Sequence, residues 1–233
     1  MQNIWNQKFN YKSISRVTDR NGARFYSCDG NKVPSVTTIL DKTKSQKDRD
    51  SLNSWREKVG YVEASKISKA SMLRGDKMHK HLEDVLHGKQ ELDLGESLDI
   101  EKQMSQVIVD NALSKYLNEI WGCETPLFYP DSHAGTTDLC GLYKNKESII
   151  DFKSSTKTKR KEWITDYFLQ TSAYALAHNF QYNTHITQGV ILICTPQLEF
   201  QEFIITDDEF LYYQNKFKER VEQYKALDVK KYE

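Results

Sequence analysis

Apolar residues along this chain recur first at helical spacing, then at strand spacing, then at each in turn. Between positions 48 and 86 charged and apolar residues fall three and four apart, which predicts two helices. Ahead of them, 24–28, the turn Asp29-Gly30-Asn31 and Val33 predict a short hairpin leading into 34–40. Over 98–121, Ile100, Met104, Val107, Ile108, Leu117 and Ile120 line one side of a further predicted helix. The period then changes to strands over 125–129, 136–143 and 148–154. The last two are joined by the polar turn Lys144-Asn145-Lys146-Glu147, as in a hairpin. A helix over 161–179 and strands over 187–194 and 200–205 follow. Thr206, with Glu209 three residues on, predicts a capping box opening a final helix that carries Phe210, Phe217, Val221 and Tyr224 inward.

That order predicts an α/β fold, a central mixed β-sheet flanked by helices with an N-terminal helical region. Residues 1–98 would hold the hairpin and helices, and 99–233 the sheet-bearing core, together one compact domain. The polar, glycine-containing stretch 90–98 connects them.

Composition narrows the function classes. The 33 basic and 33 acidic residues cancel, so a polyanion site has to be a local patch rather than a bulk property. The most apolar run, 189–194, is too short to cross a bilayer, and positions 1–12 lack the apolar stretch of a secretory signal. The 4 cysteines are scattered, with no Cys-x-x-Cys pair. Reduced thiols in a cytoplasmic setting are therefore expected.

The chemistry concentrates in 135–153. On a strand, Asp151 and Lys153 share one face while Ile150 and Phe152 anchor the other. Asp138, on the preceding strand, brings a second carboxylate near. Two converging carboxylates repel unless a cation lies between them, and an oxygen-rich site suits Mg²⁺ or Mn²⁺. A neighbouring lysine supplies positive charge to a phosphate or orients water, which fits phosphodiester hydrolysis. The same Asp-x-Lys spacing recurs at Asp228 and Lys230 in the charged tail, so an exposed ion pair on a strand is the competing reading. The strand–turn–strand context favours a site.

Four ordered blocks carry a family likeness: Arg74-Gly75-Asp76-Lys77-Met78-His79-Lys80-His81-Leu82-Glu83; Glu124 ahead of Gly135-Thr136-Thr137-Asp138; Asp151-Phe152-Lys153; and Gln170-Thr171-Ser172-Ala173-Tyr174. Together they resemble the PD-(D/E)XK nucleases, in particular the RecB-like exonuclease branch. Ser35-Val36-Thr37-Thr38-Ile39-Leu40 resembles the opening segment of its phage and mitochondrial members.

The resemblance implies a restriction-endonuclease-like core and a DNA exonuclease holding one or two divalent ions. Asp138 and Asp151 would be metal ligands, with His79 added. Lys153, Gln170 and Tyr174 would complete the catalytic group, and Glu83 and Glu124 would be outer carboxylates. Glu124 also reads as a surface charge at a strand start, and His133 as loop decoration. Ser154, Ser155, Thr156, Lys157, Lys159 and Arg160 are expected to meet DNA phosphates, with Trp163 and Tyr167 stacking on unpaired bases. Arg56, Lys58, Lys66 and Lys69 could line the other side of a channel.

Members of the RecB-like branch that hold an iron–sulfur cluster place a cysteine group after the nuclease core; no cysteine follows Cys194 here, so the resemblance implies no cluster. No Walker A sequence is present, so no nucleotide triphosphate is expected, and unwinding would fall to a separate helicase or recombination partner. No membrane association is implied. If the chain is phage-encoded, its compartment would be the host cytoplasm. The rival readings are a structure-specific endonuclease or nickase, and a nucleic-acid-binding module without catalysis.

Overall fold

Alternation along the central strands decides what each residue meets, and here it sorts the core into two sides. In a computed structural model describing residues 4–20, 22–28, 30–89 and 99–229, five strands form the central sheet. They are β4 (Leu117–Tyr129), β5 (His133–Tyr143), β6 (Lys146–Ser154), β7 (Gln188–Cys194) and β8 (Phe200–Thr206), hydrogen-bonded in that order. Only the β6–β7 pair is parallel, because the helix α6 (Thr165–Tyr182) carries the chain across between them. The predicted mixed sheet flanked by helices is borne out.

Ile149, Ile191 and Ile193 pack with α1 (Val36–Lys42), α6 and the closing helix α7 (Asp207–Val229). Ile150, Phe152, Val190 and Leu192 pack with α3 (Tyr61–Leu86) and α4 (Ile100–Ile108). The sheet is thus the middle of three layers. The first predicted helical pair is α2 (Gln46–Val59) and α3, broken at Gly60, whose φ of 90° suits glycine alone. Ser35 caps α1 by accepting from the Thr38 N–H, worth about 1 kcal/mol.

An N-terminal three-stranded sheet, β1 (Ser15–Thr18), β2 (Arg24–Cys28) and β3 (Asn31–Pro34), precedes α1. The expected hairpin is β2–β3; β1 adds an outer strand, and from Val36 onward the chain is helical. Tyr26 and Val33 pack on Phe128 and Ala134, fixing this small sheet to the end of β4 and β5.

The helix predicted over 98–121 is corrected. After α4 the chain makes a wider π-type turn at Val109–Leu113 and a single turn α5 (Ser114–Tyr116), then enters β4 at Leu117. The Ser114 hydroxyl donates to the Val109 carbonyl and closes the wide turn. Ile120 and Trp121, next to each other in sequence, are buried on opposite sides of the sheet, which a strand permits and one helix stripe does not. At the other end of the core, Glu209 pairs with Lys161 instead of closing a capping box, and Thr206 is the last residue of β8. The helix expected from 161 begins as a short 3-10 turn, Lys161–Trp163, before α6. The stretch 90–98 lies outside the described residues. Among the described residues, no helix is long and apolar enough to cross a membrane.

Candidate active site

The β5–β6 ladder runs as far as Leu139 opposite Ile150. At the next step Asp138 Oδ2 accepts the Phe152 N–H at 2.7 Å, so a side chain replaces a backbone partner where the strands part. From the helical layer, His79 Nε2 reaches the Phe152 carbonyl at 2.8 Å. A carbonyl can only accept, so Nε2 carries a proton, and in the neutral ring it is Nδ1 that presents a lone pair. That Nδ1 lies 3.6 Å from Asp138 Oδ1. One backbone unit, between Asp151 and Lys153, therefore orients both an imidazole and a carboxylate toward the same point.

Glu124 joins them. It stands in β4 between the pairs Cys123–Leu139 and Thr125–Thr137, hence across from Asp138. Its φ of 50° is a left-handed backbone that a glutamate rarely adopts, and such strain gathers at functional sites. Ligand atoms of His79, Glu124 and Asp138 all lie within 4.8 Å of one another. One imidazole nitrogen and carboxylate oxygens form a donor set that fits a small divalent cation, and the N–H···O=C bond behind His79 is the support such ligands carry.

Asp151 stands outside this group of three. It is 1% exposed; its Oδ1 has no hydrogen-bond partner, and its Oδ2 forms an ion pair with Lys153 Nζ. Burial raises the Asp151 carboxyl above the ordinary range, against the pull of Lys153. Burial also works to lower Lys153, but the charges of Asp151 and Asp138 outweigh it and hold the ammonium protonated. Lys153 Nζ also lies 5.1 Å from the centre of the Tyr167 ring, so that ring faces the lysine rather than standing free for a base.

Gln170 Nε2 donates to the Tyr174 hydroxyl at 3.4 Å, as their four-residue spacing on α6 allows. The Tyr174 ring occupies the space a side chain at Gly135 would need: a Cβ there would meet the ring at 2.7 Å. That contact ties the glycine of one sequence block to the tyrosine of another. Burial pushes the Tyr174 phenol well above its usual range.

A cleft of about 570 Å³ opens over these groups, with His79, Glu83, Glu124, Asp138, Lys153 and Tyr174 in its lining. Glu83 is also tied to Lys80 at 3.0 Å. Of the residues expected to meet DNA, Ser154 lines the cleft and accepts from Arg74 Nε at 2.9 Å. Ser155 is buried and donates to the Lys157 carbonyl. The Lys159 backbone is held by the Gln201 amide, while Thr156, Lys157 and Arg160 are exposed on the loop beyond the cleft lining. Arg160 lies 5.3 Å from the centre of the exposed Trp163 ring. Arg56, Lys58, Lys66 and Lys69 do not line the cleft.

Sequence reasoning missed Arg16, Arg24 and Tyr26, which reach the cleft from the N-terminal sheet. No local pattern marks them, because only the docking of that sheet brings them there. His133 is a correction: it is a buried member of β5, not loop decoration. Its Nε2 donates to the Ala173 carbonyl and its ring stacks on Tyr129, and burial lowers its pKa to about 4.

No family profile matches the chain. Over 224 residues it is 28% identical to mitochondrial genome maintenance exonuclease 1 of Xenopus tropicalis, covering 90% of this chain and 62% of that protein. Over 174 residues it is 28% identical to the Mus musculus protein of the same name, covering 70% and 50%. These relatives are exonucleases. The chain is similar to them, and it spans between 50% and 62% of these curated relatives' length. A crystal structure from Eubacterium rectale, named as a candidate exonuclease, superposes on 68% of this chain and 66% of its own with a TM-score of 0.46 and 14% identity.

The geometry carries a pH dependence. Burial, then the charge of Asp138, raises the Glu124 carboxyl to about 7 in the metal-free protein, although the residue as a whole is exposed. A cation binding there displaces a proton, so affinity rises as pH passes upward through that value. Titration calorimetry with Mn²⁺ between about pH 6 and pH 8 should show binding up to about tenfold weaker per pH unit on the acid side. A flat profile would remove Glu124 from the ligand set.

Proposed function

We propose that this chain is a metal-dependent DNA exonuclease of the RecB-like PD-(D/E)XK kind, acting on the ends of linear DNA. The observation that carries this reading is the Phe152 main chain, whose N–H and carbonyl bind Asp138 and His79 between the two motif residues Asp151 and Lys153. Kinship to exonucleases supports it.

Asp138, His79 and Glu124 would hold a divalent cation, Mg²⁺ or Mn²⁺, with the unpartnered Asp151 Oδ1 available to a first or second ion. When bound, such an ion supplies Lewis-acid charge to a phosphoryl oxygen and makes its bound water more acidic. Asp138 and Asp151 add negative charge where water must lose a proton. Lys153, kept protonated by its carboxylate neighbours, places a cation where charge grows on the phosphate oxygens. Gln170 and Tyr174 brace the wall behind Gly135, which fixes the β5 backbone carrying Asp138.

End-labelled linear DNA, single- and double-stranded, should release nucleotides with Mg²⁺ or Mn²⁺ and none with EDTA. Covalently closed single-stranded circles should survive. Cleaved circles would replace the exonuclease with an endonuclease, and tight binding without cleavage under either metal would leave a binding module.

A further inference from the structure

One wall of the cleft comes from the N-terminal sheet, and its charge is uncommitted. The β1–β2 register sets Arg16 opposite Tyr26 and Thr18 opposite Arg24. Directly paired residues share a face, as do residues two apart on one strand, so Arg16, Arg24 and Tyr26 project together. All three line the cleft.

Their positions are held from behind. The Arg24 carbonyl accepts from the Ser35 N–H at 2.8 Å and its N–H donates to the Thr38 hydroxyl at 2.9 Å. Tyr26 is buried against Phe128 and Ala134, which anchors the face to the strands bearing Glu124 and Asp138.

The other cations of the cleft are already engaged. Lys153 is paired with Asp151, and Lys80 with Glu83 and Asp84. Among the described residues, the guanidiniums of Arg16 and Arg24 make no hydrogen bond or ion pair. The same cleft carries the carboxylates of Asp76, Glu83, Glu124 and Asp138. A polyanionic strand entering it meets that negative charge, and the free guanidiniums are the groups left to counter it. Two guanidiniums on a fixed face offer planar, paired N–H donors, the geometry that grips phosphate oxygens.

We propose that Arg16 and Arg24 form a phosphate-holding subsite, distinct from the carboxylate–histidine cluster, that positions the DNA strand in the cleft. The proposal rests on the nuclease reading for the identity of its ligand, a phosphate of the strand's 5′ end or of its backbone.

The test is equilibrium binding rather than turnover. Fluorescently labelled single-stranded oligonucleotides, one with a 5′ phosphate and one with a 5′ hydroxyl, are titrated in Ca²⁺ against wild type, Arg16→Gln, Arg24→Gln and the double variant. Each exchange should weaken binding about tenfold, and the slope of log affinity against log salt should shrink by about 0.7 per arginine removed. Arg→Lys variants should recover part of the affinity, since charge remains while the planar fork is lost. Lys218→Gln, an exposed exchange on α7, should bind like wild type.

Losses confined to the 5′-phosphate probe assign the subsite to the strand end, and equal losses on both probes assign it to the backbone. Unchanged affinity and salt slope in the double variant, with that variant folded by circular dichroism, would overturn the subsite while leaving cleavage by wild type intact. Arginine-dependent binding by a wild type that cleaves nothing would uphold the subsite and overturn the nuclease reading instead.

Discussion

Asparagine in place of Asp138 should slow nucleotide release from linear DNA by about a hundred- to a thousand-fold, the scale of losing one charge-stabilising group at a preorganised site. Asp138 has two separable tasks. Oδ2 accepts the Phe152 N–H at 2.7 Å, and Oδ1 faces His79 Nδ1 at 3.6 Å. An amide keeps the shape but has a single acceptor oxygen. If that oxygen takes the Phe152 N–H, an NH₂ group faces His79 where the ligand oxygen stood. If it turns outward, the NH₂ meets the Phe152 N–H, donor against donor. Either way the negative charge is gone. Mn²⁺ affinity by calorimetry should fall together with the single-turnover rate, while the fold, read by circular dichroism, persists. An Asp138→Asn protein that cuts within about threefold of wild type would remove Asp138 from the site.

Much of this arrangement could be read from the chain, and the part that could not has a common cause. Strands β5 and β6 were legible because alternation and a polar turn are local signals, and those strands carry Asp138, Asp151 and Lys153. The change from helix to strand at Leu117 was not. The apolar spacing of the preceding helix continues through Ile120, and what overrides it is pairing with β5 far along the chain. Glu124 shows the same limit. As a strand-start carboxylate its role was open, and its place among the ligands depends on a left-handed backbone and on register with Asp138. Arg16 and Arg24 reach the cleft only because Tyr26 and Val33 bury themselves on Phe128 and Ala134. Motif spacing brought His79, Asp138 and the Asp151–Lys153 strand together as a list. The main-chain N–H and carbonyl of Phe152, an apolar residue no motif would single out, are what join His79 and Asp138 in space.

Methionine in place of Lys153 should cost the protein both its activity and much of its stability, and the two losses should separate in a double variant. The lysine side chain is 18% exposed and its partner Asp151 1%, so the pair is screened far less than a surface pair. Removing one member of such a pair leaves the other buried and uncompensated, a loss of about 3–5 kcal/mol. The sign with pH follows from Asp151. Burial already raises its carboxyl, and without Lys153 only the smaller pull of His79 opposes the rise. A carboxyl whose folded pKa exceeds its unfolded value binds more protons when folded, so its contribution to stability falls as pH rises through the interval between them. Lys153→Met should therefore be closest to wild type in mild acid and furthest from it above neutrality, as measured by urea unfolding at about pH 5 and pH 8. Adding Asp151→Asn removes the stranded charge, so the double variant should recover most of the stability at the higher pH. It should recover none of the nuclease activity, because neither the cation over the phosphate nor the second acidic group returns. A single variant as stable as wild type at the higher pH would mean that water or another group already compensates Asp151. A double variant that regained cleavage would mean that the Asp151–Lys153 pair supports the fold and takes no part in the chemistry.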